Sequence, residues 1–199
     1  GFLTLPTGKM SSRKGNVLTG ESLLEEVETE ANTRASESRA EDVAKLSEEI
    51  AVAALKYQIL KQTVGSNMVF DKAKALSFEG DSGPYLQYTH ARLGSVLEKA
   101  ATNGVVAGTA EAPLKAYELE RLLYRFPEVV ETAAMEREPQ KVLSYLIALG
   151  GAFNSFYSQE QIADNTDKFA PYKAALSAGV KQTLKNGLWL LGIKAPQRM

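Results

Sequence analysis

The chain has 199 residues, of which 44% are hydrophobic and 24% charged, and its formal net charge is −1. This size suits one domain, or one domain with an appendage, and a pI near 6.0 is too low for a general nucleic-acid binder, so any RNA contact must be local. Cysteine is absent and His90 is the one histidine, which excludes disulfides, cysteine-containing zinc sites and two-histidine metal motifs.

The chain opens with a short apolar, strand-like stretch from Phe2 to Leu5. No initiator methionine precedes it, so we expect the chain to be a piece of a longer protein. The start lacks the charged head and the cleavage site of a signal peptide, and no part of the sequence approaches the roughly 18 consecutive apolar residues of a membrane span. We therefore expect a cytoplasmic protein with no membrane contact.

The next stretch, TGKMSSRKGN at residues 7–16, places three basic side chains between two glycines. This composition is typical of a loop that grips an anion. It is not a Walker A loop, because Gly8-Lys9 is followed by Met10 instead of Ser or Thr and the upstream glycine has the wrong spacing. The loop therefore predicts a phosphate contact, but it is not a complete nucleotide site.

After Gly20 the hydrophobic pattern is helical. Apolar residues at spacings of three and four predict five helices, within Val43 to Leu60, Leu86 to Val96, Leu119 to Phe126, Val142 to Phe156 and Leu176 to Leu191. Five prolines are expected at or near first turns of helices: Pro84, Pro113, Pro127, Pro139 and Pro171. The predicted fold is all-α, a helical bundle preceded by a short strand and loop.

Charge is unevenly distributed along the chain. Residues 21–49 are rich in glutamate, and we expect them to face water. From residue 168 to the last residue there is no acidic side chain, which makes this segment a candidate surface for a polyanion. Its basic residues are Lys168, Lys173, Lys181, Lys185, Lys194 and Arg198.

The segment FEGDSGPYLQYTHAR, residues 78–92, carries a possible RNA contact. Gly83-Pro84 starts a helix, and Tyr85, Tyr88 and Arg92 then lie three and four residues apart on one face. Two phenol rings and a guanidinium can stack on splayed bases and bind a phosphate, each stack contributing roughly 1–3 kcal/mol. The alternative is that a tyrosine packs in the bundle with its hydroxyl bonded to a neighbour.

Other conspicuous residues have simpler interpretations. His90 has no second histidine, cysteine or nucleophilic serine motif beside it, so we expect a structural hydrogen bond there and not catalysis. In GGAFNSFY, Phe153 and Phe156 are expected in the core. Tyr157 and Trp189 are secondary candidates for RNA contact, although packing is the favoured interpretation for both.

Three stretches resemble the arginyl-tRNA synthetase family, and they occur in the family's order. Residues 9–13, KMSSR, resemble the KMSKS loop of class I aminoacyl-tRNA synthetases in its arginyl form. The segment 78–92 resembles the start of that family's anticodon-binding domain, and its spacing from the loop, with the helical AVAALKYQIL between them, is similar too. Residues 184–199, LKNGLWLLGIKAPQRM, resemble the family's C-terminus.

The resemblance implies roles for particular residues. Lys9 would meet the phosphates of ATP, with hydroxyl or backbone donors from Ser11 and Ser12; Ser12 replaces the second lysine of the general motif, whose role would have to be met elsewhere. The residues that would approach the anticodon loop are Tyr85, Tyr88, Arg92 and Met199. ATP with Mg²⁺ is expected as a substrate of the parent protein, and no metal or cofactor is expected on this piece.

The resemblance also implies a domain division and a function. Residues 1–70 would end the catalytic region, and residues 71–199 would form the anticodon-binding bundle. The parent would attach arginine to tRNA(Arg) through an arginyl-adenylate, as a monomer. This piece would be inactive alone, because a chain with one histidine cannot hold the family's His-x-Gly-His motif. The main alternative is a non-catalytic helical module that binds RNA or protein; a complete small-molecule enzyme has less support, since no full catalytic set is visible.

Overall fold

A computed structural model describes residues 2–4, 6, 19–36, 38 and 42–199 of the chain. In these residues it contains seven helices and one two-stranded sheet. In chain order the elements are β1 (Leu3–Thr4), α1 (Gly20–Ala35), α2 (Val43–Leu60), β2 (Met68–Val69), α3 (Lys72–Ala75), α4 (Gly83–Thr102), α5 (Glu118–Glu136), α6 (Gln140–Gln159) and α7 (Ala170–Leu190). The predicted all-α bundle behind a short strand is confirmed. None of the helices in the described ranges combines the length and apolarity that a bilayer crossing requires.

The two strands form a small parallel sheet. Leu3 lies opposite Met68 and Thr4 opposite Val69. The backbone N–H of Phe70 donates to the carbonyl of Thr4 at 2.8 Å. The first strand lies within the predicted stretch Phe2 to Leu5, whereas the sequence did not predict β2; neither strand is long enough to show a period of two.

The larger hydrophobic cluster lies between α4, α6 and α7, with α5 and part of α2 against it. The predicted apolar stripes form it: Leu86 and Leu93 of α4 are fully buried, as are Leu146 and Leu149 of α6. Phe153 and Phe156 are also buried, which confirms their predicted place in the core. This packing buries one side of α4 along most of its length.

A second cluster packs α1 against α2 and the segment that follows β2. Val27, Ile50, Phe70 and Leu76 are fully buried in it. Helix α2 belongs to both clusters, because Ala53 and Tyr57 face the larger one while Ile50 faces the smaller. The C-terminal residue Met199 packs against this second cluster, so the end of the chain returns to the neighbourhood of α1 and α2.

Three of the five prolines lie at the predicted helix starts, since Pro139 directly precedes α6; Pro113 does not, because it lies in the irregular segment before α5. Pro84 and Pro171 lie in the first turns of α4 and α7, and Gly104 and Gly192 follow these helices with φ of 82° and 67°. Pro127, however, lies inside α5, so its predicted place in a first turn is wrong. The helix begins at Glu118, where the side chain of Glu120 accepts a hydrogen bond from the Tyr117 N–H and caps it, and it continues beyond Pro127 to Glu136.

Lys173 corrects the prediction of a basic surface in the C-terminal segment. Its ammonium lies 2.7 Å from Asp167 and 2.5 Å from Glu160, and the side chain is almost completely buried. Burial alone would lower the pKa of Lys173, but the two carboxylates raise it above its ordinary value. The charge is therefore neutralised inside the fold, and Lys173 is not available to a polyanion.

We expect Asp167→Asn to lower the free energy of unfolding at pH 7 by about 1–2 kcal/mol, since it removes a hydrogen bond between charged partners. The hydrogen bond from Lys173, then that from the Phe169 N–H, lowers the pKa of Asp167. The stability that ionised Asp167 contributes is therefore fully present above the ordinary aspartate pKa of about 3.9. It is lost as the pH falls through the lowered pKa of Asp167 in the folded chain. Urea denaturation from pH 7 to pH 3 measures this. Glu111→Gln, on an exposed loop, is the control, and a difference that stays constant with pH would contradict the assignment.

Candidate nucleic-acid interface

The N-terminus of α4 is anchored by a network of polar side chains. Ser82 caps the helix, since its hydroxyl accepts from the Tyr85 N–H at 3.0 Å and donates to the carbonyl of Ser77. The hydroxyl of Tyr57 donates to the carboxylate of Asp81, and Lys61 lies 3.1 Å from the same carboxylate. The first turn of α4 is therefore fixed to α2.

The pKa shifts of Tyr57 and Asp81 agree that the proton of their hydrogen bond resides on Tyr57. Burial, and next the hydrogen bond to Asp81, raise the pKa of Tyr57 far above its ordinary value. Burial opposes ionisation of Asp81 as well, but hydrogen bonds from Tyr57 and Lys61 outweigh it and lower the pKa of Asp81. Tyr57 is the donor and Asp81 the ionised acceptor at neutral pH.

Tyr85 packs between α4 and α6. Its hydroxyl accepts a hydrogen bond from the Asn154 amide at 2.9 Å. A β-carbon at Gly150 would lie 3.4 Å from both that hydroxyl and the edge of the ring, so the glycine allows the tyrosine to approach α6 closely. Tyr85 is half-buried, and its surroundings match the packing alternative stated for the tyrosines of this motif.

Tyr88 lies one turn further along α4 and is more open. Its side chain is 40% exposed. The ring of Phe78 stacks on it, with centroids 6.0 Å apart and planes inclined at 28°. Phe78 opens the same sequence motif, but sequence reasoning did not single it out. Because Phe78 supports it, Tyr88 is held as an oriented aromatic surface at the edge of the bundle.

Arg92 follows on the same face of α4, and its guanidinium carbon lies 4.6 Å from the centroid of the Tyr157 ring. Such a cation–π contact orients the planar group and leaves its N–H donors available. Within the part of the chain that the structure describes, no carboxylate forms an ion pair with Arg92. Its charge is thus available to an external anion.

Three of the four predicted anticodon-contacting residues line one pocket of about 430 Å³. Tyr88 and Arg92 form one side of it, and Met199 approaches from the C-terminal tail. The remaining lining residues are Ala91, Ser95, Glu98 and Arg198. This volume lies in the range of about 300–1,000 Å³ typical of small-ligand pockets. The side chains of the pocket combine an aromatic ring, a thioether and two guanidinium groups with one carboxylate, and Tyr85 is not part of its lining.

His90 and Gln87 lie on the opposite, buried side of α4 and contact the tail. His90 Nδ1 is 2.8 Å from the carbonyl oxygen of Pro196. Burial lowers the pKa of His90; the positive charges of Lys181 and Lys185 lower it further, and the hydrogen bond to Pro196 opposes the change. The imidazole is therefore neutral at pH 7 and donates from Nδ1, which is the structural hydrogen bond expected for it.

The secondary aromatic candidates are more exposed than expected. Trp189 on α7 is 74% exposed, so its predicted packing role is wrong. It lies in the last turn of α7, outside the buried stripe formed by Leu184 and Leu188. Tyr157 is 37% exposed, and one face of its ring meets Arg92. Neither Tyr157 nor Trp189 is among the lining residues of the pocket, but Tyr157 contacts one of them, Arg92.

The loop predicted to bind phosphate lies outside the described residues, and so do Lys9, Ser11 and Ser12. In the described ranges, no group of three or more histidine, aspartate or glutamate side chains is arranged to hold a metal ion.

Comparison with known proteins identifies the family to which this fold is similar. The family model described as the DALR anticodon binding domain matches residues 86–199. The arginine–tRNA ligase of Flavobacterium psychrophilum is 36% identical over 213 residues, covering 100% of this chain and 34% of that protein. The enzyme of Ignicoccus hospitalis is 34% identical over 200 residues, covering 100% of this chain and 32% of that protein.

Solved structures agree with the sequence relatives. The arginyl-tRNA synthetase of Thermus thermophilus superposes with a TM-score of 0.84 at 30% identity, covering 100% of this chain and 34% of that chain. The enzyme of Plasmodium falciparum has the same fold, with a TM-score of 0.73 at 22% identity over 100% of this chain and 35% of its own.

The helical bundle and the family match define the class, an anticodon-binding domain. The chain belongs to the DALR anticodon-binding domain family, and it matches the C-terminal region of arginyl-tRNA synthetases. The resemblance found in the sequence is thereby confirmed. The chain spans about a third of the length of the relatives that it matches.

Proposed function

We propose that this chain is the C-terminal part of an arginine–tRNA ligase and that its α4 pocket contacts the anticodon loop of tRNA(Arg). The observation that carries the proposal is the convergence of Tyr88, Arg92 and Met199 on one pocket from distant parts of the sequence. Residues 1–70 end the catalytic region of the parent, and residues 71–199 form the anticodon-binding unit. The parent attaches arginine to tRNA with ATP, through an arginyl-adenylate, and acts as a monomer in the cytoplasm.

The chemistry of the pocket suits an unstacked nucleotide. The supported ring of Tyr88 offers a face on which a base can stack. Arg92 carries no competing ion pair in the described residues, so it can form paired hydrogen bonds to a phosphate or to the edge of a base. The thioether of Met199 adds an adaptable apolar contact. Tyr85 contributes by bracing α4 against α6 and not as a direct contact.

Binding to tRNA tests the proposal. The purified chain should bind an arginine-tRNA transcript more tightly than a transcript with an altered anticodon loop, and its log affinity should fall linearly with log salt. Fluorescence anisotropy at several salt concentrations measures both. Equal affinity for the two transcripts would favour the alternative, a helical module indifferent to the anticodon.

Lys9, Ser11 and Ser12 are proposed to stabilise the charge that develops on pyrophosphate when ATP, bound with Mg²⁺, reacts with arginine. Preorganised cations and hydroxyl donors opposite a developing anion accelerate such a step. In the full-length parent we expect Lys9→Ala to slow arginine-dependent ATP–pyrophosphate exchange and to leave tRNA affinity nearly unchanged. Equal losses in both measurements would contradict this role. The 199-residue chain alone should show no exchange, and clear exchange would refute the assignment of catalysis to another part of the parent.

A further inference from the structure

The C-terminal tail, residues 193–199, folds back along α4 without secondary structure of its own. Ile193 is buried in the larger cluster, and Met199 packs on the smaller one. Between these two anchors the backbone has no ladder of hydrogen bonds, so side chains must satisfy its buried carbonyls. The side chains that do so belong to α4.

Gln87 and His90 donate hydrogen bonds to two backbone carbonyls of the tail, those of Lys194 and Pro196. The Gln87 amide donates to Lys194 O at 2.9 Å and to Glu49 O, at the middle of α2, at 3.1 Å. His90 donates to Pro196 O at 2.8 Å. Both side chains are fully buried, and they lie three residues apart on one face of α4. The two bonds to the tail join residues that lie more than 100 positions apart in the chain, 107 for Gln87 and 106 for His90.

Helix α7 passes along the other side of the tail. A β-carbon at Gly94 would lie 3.1 Å from Lys181 Nζ and 3.5 Å from the carbonyl oxygen of Gln197. The absence of a side chain at Gly94 thus lets the tail and Lys181 meet against α4. Beyond Gln197 the chain enters the pocket, where Arg198 and Met199 become lining residues.

We propose that His90 and Gln87 are positioning residues that seat the tail and thereby place Arg198 and Met199 in the α4 pocket. The inference rests on the proposed function, since the placed residues are the ones assigned to RNA contact. These two residues do not touch the RNA; they act through the carbonyls of Lys194 and Pro196.

The test compares two substitutions of the histidine. His90→Leu keeps an apolar volume but removes the donor, whereas the amide of Asn in His90→Asn can take the place of Nδ1–H. Thr89→Val is the matched control, because it removes another buried polar group of α4 whose hydroxyl bonds to Tyr85 O and not to the tail. The methyl resonances of ¹³C-labelled methionine report the tail directly: the chain has four methionines, and a Met199→Ala spectrum assigns the relevant one.

In His90→Leu we expect the Met199 methyl resonance to move towards the position of a free side chain, and tRNA affinity to fall about tenfold, which corresponds to roughly 1.4 kcal/mol. In His90→Asn both should return most of the way to the wild-type values, and Thr89→Val should leave the resonance in place. In a background that lacks both tail side chains, Arg198→Ala with Met199→Ala, His90→Leu should cost much less affinity, because the residues that it positions are already absent.

Two results would overturn the inference: an unchanged Met199 resonance in His90→Leu, or an affinity loss of the same size with and without the Arg198 and Met199 side chains. Absence of tRNA binding by the wild-type chain would refute the proposed function instead. The methyl spectra need no RNA, so they would still decide whether His90 seats the tail.

Discussion

Replacing Arg92 with alanine is expected to weaken binding of tRNA(Arg) by about tenfold to a hundredfold, roughly 1.4–2.7 kcal/mol. Arg92 supplies a planar cation that is already oriented by the Tyr157 ring and is free of ion pairs in the described part of the chain. If Arg92 contacts the RNA as proposed, removing it deletes hydrogen bonds and a charge that the RNA cannot replace. If Arg92 contacts a phosphate, the slope of log affinity against log salt should also fall by about 1.

Two further variants show whether the charge of Arg92 or its planar shape matters for binding to tRNA. Arg92→Lys keeps the charge but loses the planar fork and its stacking, so it should restore only part of the affinity. Arg121→Ala removes an exposed arginine of α5 that pairs with Glu118 and lies outside the pocket, and it should have almost no effect. Anisotropy titrations of the three variants at matched salt measure the differences. Full rescue by lysine, or an equal loss in Arg121→Ala, would show that general attraction to RNA explains the binding.

The stability of the fold should change little in Arg92→Ala. The contact with Tyr157 is a partly exposed cation–π pair, which contributes about 0.5–1 kcal/mol. A thermal melt of the variant therefore separates a loss of binding from a loss of structure. Unfolding of Arg92→Ala at the assay temperature would contradict the view that the residue serves RNA and not the core.

The bundle could be predicted because its helices bury one face against two clusters. Leu86 and Leu93 repeat at helical spacing, and burial of that stripe decides which way α4 turns. With the stripe inward, Tyr88 and Arg92 must lie towards the edge, as the sequence indicated. Such local periodicity requires no knowledge of distant residues.

The details of the site depend on contacts between distant residues, which periodicity does not encode. Tyr85 shares a helical face with Tyr88, yet its hydroxyl finds Asn154 on α6 and the ring is drawn into packing. Phe78 supports Tyr88 through a turn whose geometry depends on Asp81 and Tyr57. The sequence placed Met199 near the anticodon by resemblance alone; the route of the tail through Gln87 and His90 appears once the helices are packed.

A second large effect is expected from Gly83→Ala at the start of α4. A β-carbon there would lie 2.3 Å from the carbonyl oxygen of Ala53 and 3.1 Å from the β-carbon of Tyr57. These atoms belong to the second half of α2, which packs on both clusters and so cannot move aside. We expect the free energy of unfolding to fall by about 3 kcal/mol, at the upper end for overpacking. The melting temperature should drop by roughly 6–12 °C for a chain of this size.

Gly151→Ala is the matched control, because it makes the same chemical change inside α6, where a β-carbon would meet nothing within 4 Å. That variant should gain about 0.5–1 kcal/mol, since alanine favours a helix over glycine. Urea denaturation of both variants beside the wild-type chain gives the comparison. A neutral or stabilising Gly83→Ala would mean that α4 does not meet α2 as closely as 2.3 Å implies. Because the displaced turn leads directly to Tyr88 and Arg92, the same variant should also weaken tRNA binding at temperatures where it remains folded.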